Sequence, residues 1–353
     1  METAYPSTAI CFAAIGLAFL LAWFTYRRIE YPIRFGATGR QMTTTLVMLM
    51  ALLASVGFLT FLGKGSREQS KTIALQSDKR SFNHHFDGWS RCPNHAESDG
   101  CLILDPDSPP DIAVIGDSHA AHLASGIAEL YKRRKKNVLL VSSPGCLPFF
   151  TSIPVGKTHF SCNYSLIDRA LEEAIASTSI KTVILGNYGN FMLYGYRRLF
   201  QNESEFDGYA DDAFTKEVQN NSVIFNKRMI NTLERLVSAG KQTVLLVDVP
   251  ELHFDPLECT VLRPVVFPWH KQRTPCAVSR KKFEAHSAPY HSIISGARTT
   301  FPNINFIDAW RPFCDQKLCF GLLDGELLYN TRDHLTPAGS RYLVTTIEDQ
   351  LPW

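Results

Sequence analysis

The sequence predicts an α/β protein with a three-layer, parallel-sheet domain that follows two membrane-spanning helices. From Asp111 onward, short apolar runs typical of strands buried on both faces alternate with amphipathic helical patterns. Strands separated by helices are joined by right-handed crossovers, which produce a parallel sheet. Two long uncharged stretches precede this region. The remaining residues, about 240, are enough for one such domain with long loops.

The composition is that of a folded protein and excludes some classes of partner. The chain has 353 residues, of which 45% are hydrophobic, and a formal net charge of +2. A dedicated nucleic-acid binder usually has a strong basic excess. A basic run at residues 132–136 closes the first helical pattern, where cations complement the C-terminal end of the helix dipole. We therefore expect no nucleic-acid partner.

The N-terminal part contains two candidate membrane spans. Ser7 to Tyr26 and Met42 to Gly63 are uncharged over twenty and twenty-two residues. Either length can cross a hydrocarbon core of about 30 Å at about 1.5 Å per residue. A cleaved signal peptide would have a basic region before its apolar stretch, and the first segment lacks one. The pattern predicts two transmembrane helices within residues 1–63.

The cysteines indicate the compartment. Of nine cysteines, Cys11 lies in the first apolar stretch and eight follow the second. Eight cysteines allow many connectivities, and proximity along the chain favours four local pairs, Cys92/Cys101, Cys146/Cys162, Cys259/Cys276 and Cys314/Cys319. No CxxC or paired Cys/His spacing favours a metal site instead. Disulfides need an oxidising compartment, so the long C-terminal part is expected outside the cytoplasm.

Residues 64–110 are predicted to form an ordered extension that leads into the domain. The segment is polar and has no sustained period, but it contains Phe82, Phe86, Trp89 and the Cys92/Cys101 pair, which a disordered segment would not use. His84-His85 could bind a metal. Adjacent side chains in an extended segment point apart, so a metal there is not favoured.

Residues 111–353 contain the alternating elements of the domain. Strands are expected at Ile112–Ile115, Val138–Val141, Val183–Leu185, Val244–Val249 and Ile304–Ile307. Helices are expected at Ala120–Lys132, Ser165–Ser177, Thr215–Ser238, Ser279–Ser295 and Pro337–Gln350. The sequence contains neither GxGxxG nor GxxxxGK[ST], so no motif supports nucleotide binding.

Ser118 is the first candidate functional residue. It follows the first strand of the domain, at the carboxyl edge of the predicted sheet, where open α/β folds place their sites. Unpaired backbone N–H groups at the start of the next helix would stabilise negative charge beside its Oγ. Ser118 is therefore a candidate nucleophile. A turn or N-cap serine would show the same local pattern.

His334 is the candidate base for this serine. A serine hydroxyl is a weak nucleophile and needs a base within hydrogen-bond reach. His334 precedes the last predicted helix, whose Pro337 suits a first turn, and that loop can reach the edge that carries Ser118. His119 and His122 are too close to Ser118 in sequence to be oriented easily as the base. We expect them to line the pocket or to cap the helix.

These residues carry a resemblance to a known family. Gly116-Asp117-Ser118-His119, His334-Leu335-Thr336 and Gly339 resemble the first and last blocks of the SGNH (GDSL-like) hydrolases. They more closely resemble the SGNH domain fused to membrane acyltransferase-3 proteins, the O-antigen O-acetyltransferases. The same variant is indicated by three further stretches, Ser143–Pro148, the Cys314/Cys319 pair and Tyr26–Arg34.

The resemblance implies a domain organisation. Residues 111–353 would form an SGNH hydrolase-like domain, and residues 64–110 would form a periplasmic extension before it. Residues 1–63 resemble the last two helices of the acyltransferase-3 membrane domain. Family members carry a larger bundle of spanning helices there, so this chain would be a truncated product, a fragment or one half of a split system.

The resemblance also implies roles for individual residues. Ser118 would be the nucleophile and His334 the general base. The oxyanion hole would consist of the Ser118 N–H, the Gly145 N–H and an asparagine after the third strand of the domain. Asn187 stands one place earlier than the usual asparagine of this block, and Asn190 is its rival.

The triad acid departs from the family pattern. The usual acid lies three residues before the histidine, and that position is Thr331 here. Asp333 adjoins His334, and neighbours on an extended loop point apart. Either the loop turns so that Asp333 orients His334, or a backbone carbonyl does so and the site is a dyad.

The implied function is transfer of an acetyl group to a hydroxyl of a bacterial surface glycan, such as lipopolysaccharide O-antigen, through an acyl-Ser118 intermediate. The expected partners are the glycan acceptor, the inner membrane and the missing acyltransferase-3 bundle, with the domain in the periplasm. We expect no cofactor or metal on this chain, and an acyl donor derived from acetyl-CoA through that bundle. The alternatives are an acetyl esterase with the same site and an inactive domain that holds glycan or packs on a partner.

Overall fold

The protein is described by a computed structural model. It describes residues 8–35, 39–62, 85–93, 100–150, 153–156, 162–193, 206–210, 221–259 and 273–352. The chain divides into two compact units, residues 1–75 with 262–265 and the remainder. The domain bounds expected from the sequence, at residues 63 and 110, stay a prediction. His84 and the beginning of the extension, residues 64–84, lie outside the described residues.

The first unit is helical. It contains α1 (Thr8–Thr25), a π-helical segment (Tyr26–Glu30), α2 (Tyr31–Phe35) and α3 (Gly39–Leu62). Within the described residues, no helix combines the length and apolar character needed to cross a membrane. The two transmembrane helices predicted from the sequence are therefore not supported.

The second unit is an α/β domain whose elements follow one another as β1 (Ser90–Arg91), β2 (Cys101–Ile103), β3 (Ile112–Gly116), α4 (Ser118–Ala121), α5 (Ala124–Arg133), β4 (Val138–Ser142), β5 (Ile153–Gly156), α6 (Tyr164–Ala176), β6 (Thr182–Gly186), β7 (Phe206–Ala210), α7 (Asn221–Ser238), β8 (Gln242–Val247), β9 (Ala277–Ser279), α8 (Arg280–Thr300), β10 (Asn305–Asp308), β11 (Leu318–Phe320), β12 (Leu322–Leu323), β13 (Glu326–Leu327) and α9 (Pro337–Thr346). Seven strands form the central sheet in the order β1-β2-β4-β3-β6-β8-β10. The five strands from β4 to β10 in this order are mutually parallel. The predicted parallel sheet is confirmed.

The edge of the sheet differs from the sequence prediction. β2 pairs antiparallel with β4, and β1 pairs antiparallel with β2. Both strands come from the segment predicted as an ordered extension, in which no strands were expected from the sequence. They have two and three residues, which is too short to show a period in the sequence. The Cys92–Cys101 disulfide joins the end of β1 to the start of β2.

Both faces of the sheet are covered, which explains the continuous apolar strands. Ala113 and Ile115 of β3 face a core that contains apolar residues of α6, α7 and α8. Ile112 and Val114 face a second core that contains residues of α5 and α9. Helices on both faces of a parallel sheet produce the three layers that the sequence predicts.

The helix predicted at Ala120–Lys132 is interrupted. The structure has one short turn, α4, then a break at His122 and Leu123, and then α5. His122 is buried, and its Nδ1 lies 3.5 Å from the backbone nitrogen of Leu335. The helix that begins at Ser118 therefore has only four residues, and the expected stabilisation of charge by its first backbone N–H groups stays a prediction. The first residues of another predicted helix, 215–220, lie outside the described residues.

The four cysteine pairs favoured by proximity are disulfides in the structure: Cys92–Cys101, Cys146–Cys162, Cys259–Cys276 and Cys314–Cys319. The prediction of four local disulfides is confirmed. Each closes a short loop, so each can form once its own segment is in place.

Gly116 ends β3 where two strands and a helix approach closely. A Cβ at this position would lie 1.8 Å from the Gly186 carbonyl oxygen of β6 and 2.8 Å from Ala120 Cβ. The missing side chain thus lets the chain turn directly from β3 into the segment that carries Ser118.

Candidate active site

Ser118 is positioned by the residue before it. Asp117 caps α4 and accepts hydrogen bonds from the backbone N–H of His119 at 2.8 Å and of Tyr188 at 2.9 Å. Tyr188 follows β6, so this carboxylate joins the ends of two adjacent strands beside Ser118. Asp117 is fully buried, and burial raises its pKa to about 6. Asp117 therefore stabilises the turn that carries Ser118.

His334 is within hydrogen-bond reach of Ser118, as a nucleophile and its base require. The distance from His334 Nε2 to Ser118 Oγ is 2.8 Å. On its other side, His334 Nδ1 lies 3.0 Å from Asp333 Oδ1. With Nδ1 protonated and donating to Asp333, Nε2 accepts the hydrogen bond of the Ser118 hydroxyl. The structure thus brings Ser118, His334 and Asp333 together in one hydrogen-bonded series.

A tight turn explains how Asp333 reaches the ring of its own neighbour. The N–H groups of Asn330 and Thr331 both donate to the His334 carbonyl, at 2.8 and 3.4 Å. The loop therefore doubles back between these residues, and the rule that neighbours on an extended strand point apart does not apply. Of the two possibilities left open by the sequence, the geometry is that of the turned loop with Asp333 on His334.

Thr331 holds this turn together from inside. Its hydroxyl donates to Asp333 Oδ1 at 2.5 Å and accepts from the His334 N–H at 3.1 Å. It also lies 3.1 Å from His334 Nδ1. Thr331 therefore occupies the place of the family's usual acid as a neutral group that orients both the histidine and the carboxylate beside it.

Asp333 is ionised in this environment. Burial alone would raise the pKa of Asp333, but the charge of His334, its hydrogen bond, the charge of His119 and the Thr331 hydroxyl together hold the pKa well below its ordinary value. A buried carboxylate next to Nδ1 stabilises the imidazolium that forms when His334 takes a proton.

A second histidine–aspartate pair lies behind the first. His119 Nδ1 donates to Asp248 Oδ1 at 2.7 Å, and both side chains are nearly buried. Burial alone would lower the pKa of His119, but the negative charge of Asp248 outweighs it and raises the pKa above its ordinary value. The His119 ring stacks on Tyr188 at 4.3 Å and lies 4.8 Å from the His334 ring. His119 is therefore a buried imidazole, bonded to Asp248, that packs directly against His334.

Asp248 was missed in the sequence. It lies at the carboxyl end of β8, inside the run Val244–Val249 that the apolar pattern predicts to be a strand. A single acidic residue at the end of a buried parallel strand indicates a site residue, because the carboxyl ends of such strands meet at one edge of the sheet. This pattern could have identified Asp248.

Buried histidines also fix the backbone next to His334. His85 Nε2 donates to the Leu335 carbonyl at 3.0 Å, and the Leu335 N–H points to His122 Nδ1 at 3.5 Å. Burial lowers the pKa of His85 to about 4 and that of His122 well below its ordinary value. Both are neutral structural groups that hold the loop on either side.

The two candidate asparagines of the oxyanion hole differ in their surroundings. Asn190 donates to Glu251 Oε1 at 2.8 Å and to Ser287 Oγ at 3.0 Å, so its amide is directed elsewhere. Asn187 follows β6, the neighbour of β3, and is buried with no hydrogen-bond partner for its amide among the described residues. A buried amide without partners is rare and is explained when a ligand supplies the bond. Asn187 fits the oxyanion role better.

Gly145 lies in the loop after β4, the other neighbour of β3. Its φ is +70°, which favours glycine, and the Cys146 N–H closes the turn on Ser143. The Ser143 N–H donates to the Gly116 carbonyl at 3.0 Å, which ties this loop to the end of β3. The Cys146–Cys162 disulfide anchors its far side. The Gly145 N–H is thus carried by a restrained loop that is tied to the end of β3.

His119, Asp333 and His334 have ligand atoms close enough together to hold a metal ion. Both Nδ1 atoms already bond carboxylates, and His334 Nε2 bonds Ser118. His119 Nε2, by contrast, is buried without a hydrogen-bond partner among the described residues.

A protein-family model matches residues 85–349, and its description is "SGNH domain (fused to AT3 domains)". The chain belongs to this family. The match begins at His85, so it includes the two antiparallel edge strands as well as the parallel sheet. No curated protein matches the chain.

Solved structures with a similar fold include the periplasmic domain of a lipopolysaccharide acetyltransferase from Salmonella ser. Paratyphi A, with 14% identity, a TM-score of 0.46 and coverage of 69% of this chain and 84% of that one. A putative acylhydrolase from Bacteroides fragilis has 10% identity, a TM-score of 0.36 and coverage of 69% and 88%. A GDSL-like lipase from Bacteroides thetaiotaomicron has 12% identity, a TM-score of 0.33 and coverage of 68% and 88%. These similarities are distant, and the family assignment rests on the match over residues 85–349.

Proposed function

We propose that this chain transfers an acyl group, in particular acetyl, to a hydroxyl of a bacterial surface glycan through an acyl-Ser118 intermediate. The observation that carries the proposal is the 2.8 Å contact between Ser118 Oγ and His334 Nε2, with Asp333 on the opposite ring nitrogen. Such a series activates a serine for acyl transfer. Membership of a family fused to acyltransferase domains supports transfer as the outcome.

The first half of the reaction forms the acyl-enzyme. Ser118 Oγ attacks the carbonyl carbon of the acyl donor while His334 Nε2 takes the hydroxyl proton. The negative oxygen of the tetrahedral intermediate receives hydrogen bonds from the Asn187 amide and the Ser118 and Gly145 N–H groups. When the bond to the leaving group breaks, His334 returns the proton to that group, and Ser118 carries the acyl ester.

The second half passes the acyl group on. A sugar hydroxyl attacks the ester carbonyl, and His334 takes its proton as the general base. The intermediate then expels Ser118 Oγ, which recovers its proton from His334. A glycan such as lipopolysaccharide O-antigen is the proposed acceptor. A membrane acyltransferase domain would supply the acyl donor from acetyl-CoA. The transfer to the glycan would take place in the periplasm.

An acetyl esterase is the second candidate, because water can replace the sugar in the same steps. The His334 side chain is 21% exposed, so part of the imidazole is open to solvent. Transferase and esterase pass through the same acyl-Ser118 ester and differ only in the acceptor.

Acceptor dependence separates the two. The purified full-length chain is incubated with an aryl acetate, with and without surface oligosaccharide, and acetylated sugar and free acetate are measured. Transfer predicts acetylated sugar that disappears in Ser118→Ala and persists in the matched control Ser165→Ala, an exposed serine of α6. Acetate release that is unaffected by sugar would establish the esterase instead. Intact glycan acetylation in cells with Ser118→Ala would refute the transferase, and an unchanged rate of aryl acetate cleavage in Ser118→Ala would refute both.

A further inference from the structure

A second cluster of metal-ligating side chains lies outside the Ser118 site. Glu251 and His253 lie in the segment after β8, and His286 lies on α8. Their ligand atoms all lie within 4.8 Å of one another. Glu251 Oε1 is 3.5 Å from His286 Nε2, and the rings of His253 and His286 meet edge to face at 4.9 Å.

The carboxylate of this cluster is buried and held in place. The Glu251 side chain is 4% exposed. The Asn190 amide donates to its Oε1 at 2.8 Å and also to Ser287 Oγ at 3.0 Å, and Ser287 is the neighbour of His286. One amide therefore orients the carboxylate and ties it to the helix that carries the histidine. Hydrogen bonds of this kind orient the ligands of protein metal sites.

The backbone at His253 is also unusual. Its φ is +55°, a left-handed conformation that side chains other than glycine adopt infrequently. Its side chain is exposed, unlike that of Glu251. The turn thus presents an imidazole from the solvent side towards a buried carboxylate. Strained backbone of this kind is concentrated at functional sites.

We propose that Glu251, His253 and His286 bind one divalent transition-metal ion of the zinc class. Two imidazoles and one carboxylate are a ligand set that zinc takes when a fourth position stays open, and imidazole ligands favour such metals over calcium or magnesium. With ligand bonds of about 2.1 Å, tetrahedral ligand atoms lie about 3.4 Å apart. The Glu251–His286 distance already matches this value, and the exposed His253 side chain needs to move inward.

Binding would link three separate parts of the chain. The ion would cross-link the segment after β8 to α8, and its carboxylate ligand is oriented by Asn190 from the segment after β6. This site has no signature in the sequence, because its histidines and glutamate are not arranged in any local metal motif. The proposal does not depend on the proposed acyl transfer.

The test is a zinc titration of the untagged, metal-stripped full-length chain in competition with a chromophoric chelator. The wild type is expected to bind one equivalent of zinc. His253→Ala and His286→Ala are expected to bind at least about tenfold more weakly, and Asn190→Ala about tenfold more weakly. His291→Ala is the matched control on the same helix, because His291 stacks on Trp310 instead. Cobalt substitution should give the visible bands of a four-coordinate site in the wild type and not in His286→Ala.

Three results would overturn the proposal. They are the absence of stoichiometric binding by the wild type, unchanged affinity in both histidine variants, and loss of the site in His334→Ala instead. Circular dichroism checks the folding of each variant. His253→Ala alters an exposed side chain and should leave the fold intact. Its zinc affinity therefore still tests the proposal if substitutions at the more buried positions disturb the fold.

Discussion

Replacing Asp333 by asparagine is expected to lower turnover about a thousandfold while the fold is retained. The asparagine has the same shape but no charge, so the imidazolium that forms on His334 loses its buried counterion 3.0 Å from Nδ1. Two unit charges about 4 Å apart at an effective dielectric constant of about 20 interact by about 4 kcal/mol. At about 1.4 kcal/mol per factor of ten, this corresponds to about 10³ in rate.

The neighbouring threonine limits the loss and supplies the control. Thr331 Oγ1 stays 3.1 Å from His334 Nδ1, so the ring remains oriented when the charge is gone. Thr331→Val removes this hydroxyl and leaves the carboxylate. We expect turnover to fall about tenfold, which corresponds to the free energy of one hydrogen bond. In the double variant Thr331→Asp/Asp333→Asn, a carboxylate stands where the hydroxyl was, and turnover should recover at least about tenfold over Asp333→Asn.

The assay is steady-state hydrolysis of an aryl acetate by the purified full-length chain, with kcat and KM separated. The loss should appear in kcat, because the charge acts on the transition state rather than on binding. Near-normal kcat in Asp333→Asn, or a loss in Thr331→Val as large as that in Asp333→Asn, would refute the role of the carboxylate. The site would then operate as a dyad oriented by neutral groups.

Three further predictions concern the surroundings of the site. Asn187→Ala should lower kcat about 10²- to 10³-fold, as loss of an oxyanion donor does, whereas Asn190→Ala should mainly change stability; aryl acetate kinetics and thermal melting separate the two. Replacing Cys146 and Cys162 by alanine should destabilise the fold by about 3 kcal/mol for a loop of 16 residues, measured by chemical denaturation. Burial lowers the pKa of His85 from 6.5 to about 4, so as the pH falls the unfolded chain binds this proton before the folded chain does. The free energy of unfolding should therefore fall between about pH 6.5 and 4, by at most about 1.4 kcal/mol per pH unit.

Each of these has an outcome that would contradict it. Equal losses of kcat in the two asparagine variants would remove the distinction drawn between them. An unchanged denaturation midpoint in the alanine pair would mean that the Cys146–Cys162 bond does not stabilise the fold. His85→Gln retains a donor for the Leu335 carbonyl but does not titrate, so an acid slope as steep as in the wild type would show that other groups cause it.

The parallel strands and the disulfides could be predicted because their signals are local. Strands buried on both faces must be continuously apolar, and Ile112–Ile115 and Val138–Val141 show this directly. Cysteines that close short loops are paired by proximity alone. Ser118 and His334 could be named because each lies at the end of one element, and all such ends meet at one edge of the sheet.

The remaining features depend on contacts between distant residues. Asp248 is defined as part of the site by His119, which lies far from it in sequence, and no local pattern announces the pair. The orientation of His334 depends on how Thr331 turns the loop, since a one-residue difference in turn geometry decides whether Asp333 reaches the ring. β2 forms by pairing with the exposed edge of β4, and β1 by pairing with β2. Their own residues are too few to show a strand pattern in the sequence.

The most direct test of Ser118 as the nucleophile is to identify the residue that carries the acyl group. The full-length chain is mixed with an aryl acetate, quenched in acid during turnover and digested, and the peptides are analysed by mass spectrometry. If Ser118 is the nucleophile and His334 its base, one acetyl group is expected on residue 118, none there in Ser118→Ala, and slower labelling in His334→Ala. Turnover of the aryl acetate with the acetyl group on another residue, or with no acetyl group on Ser118, would contradict it.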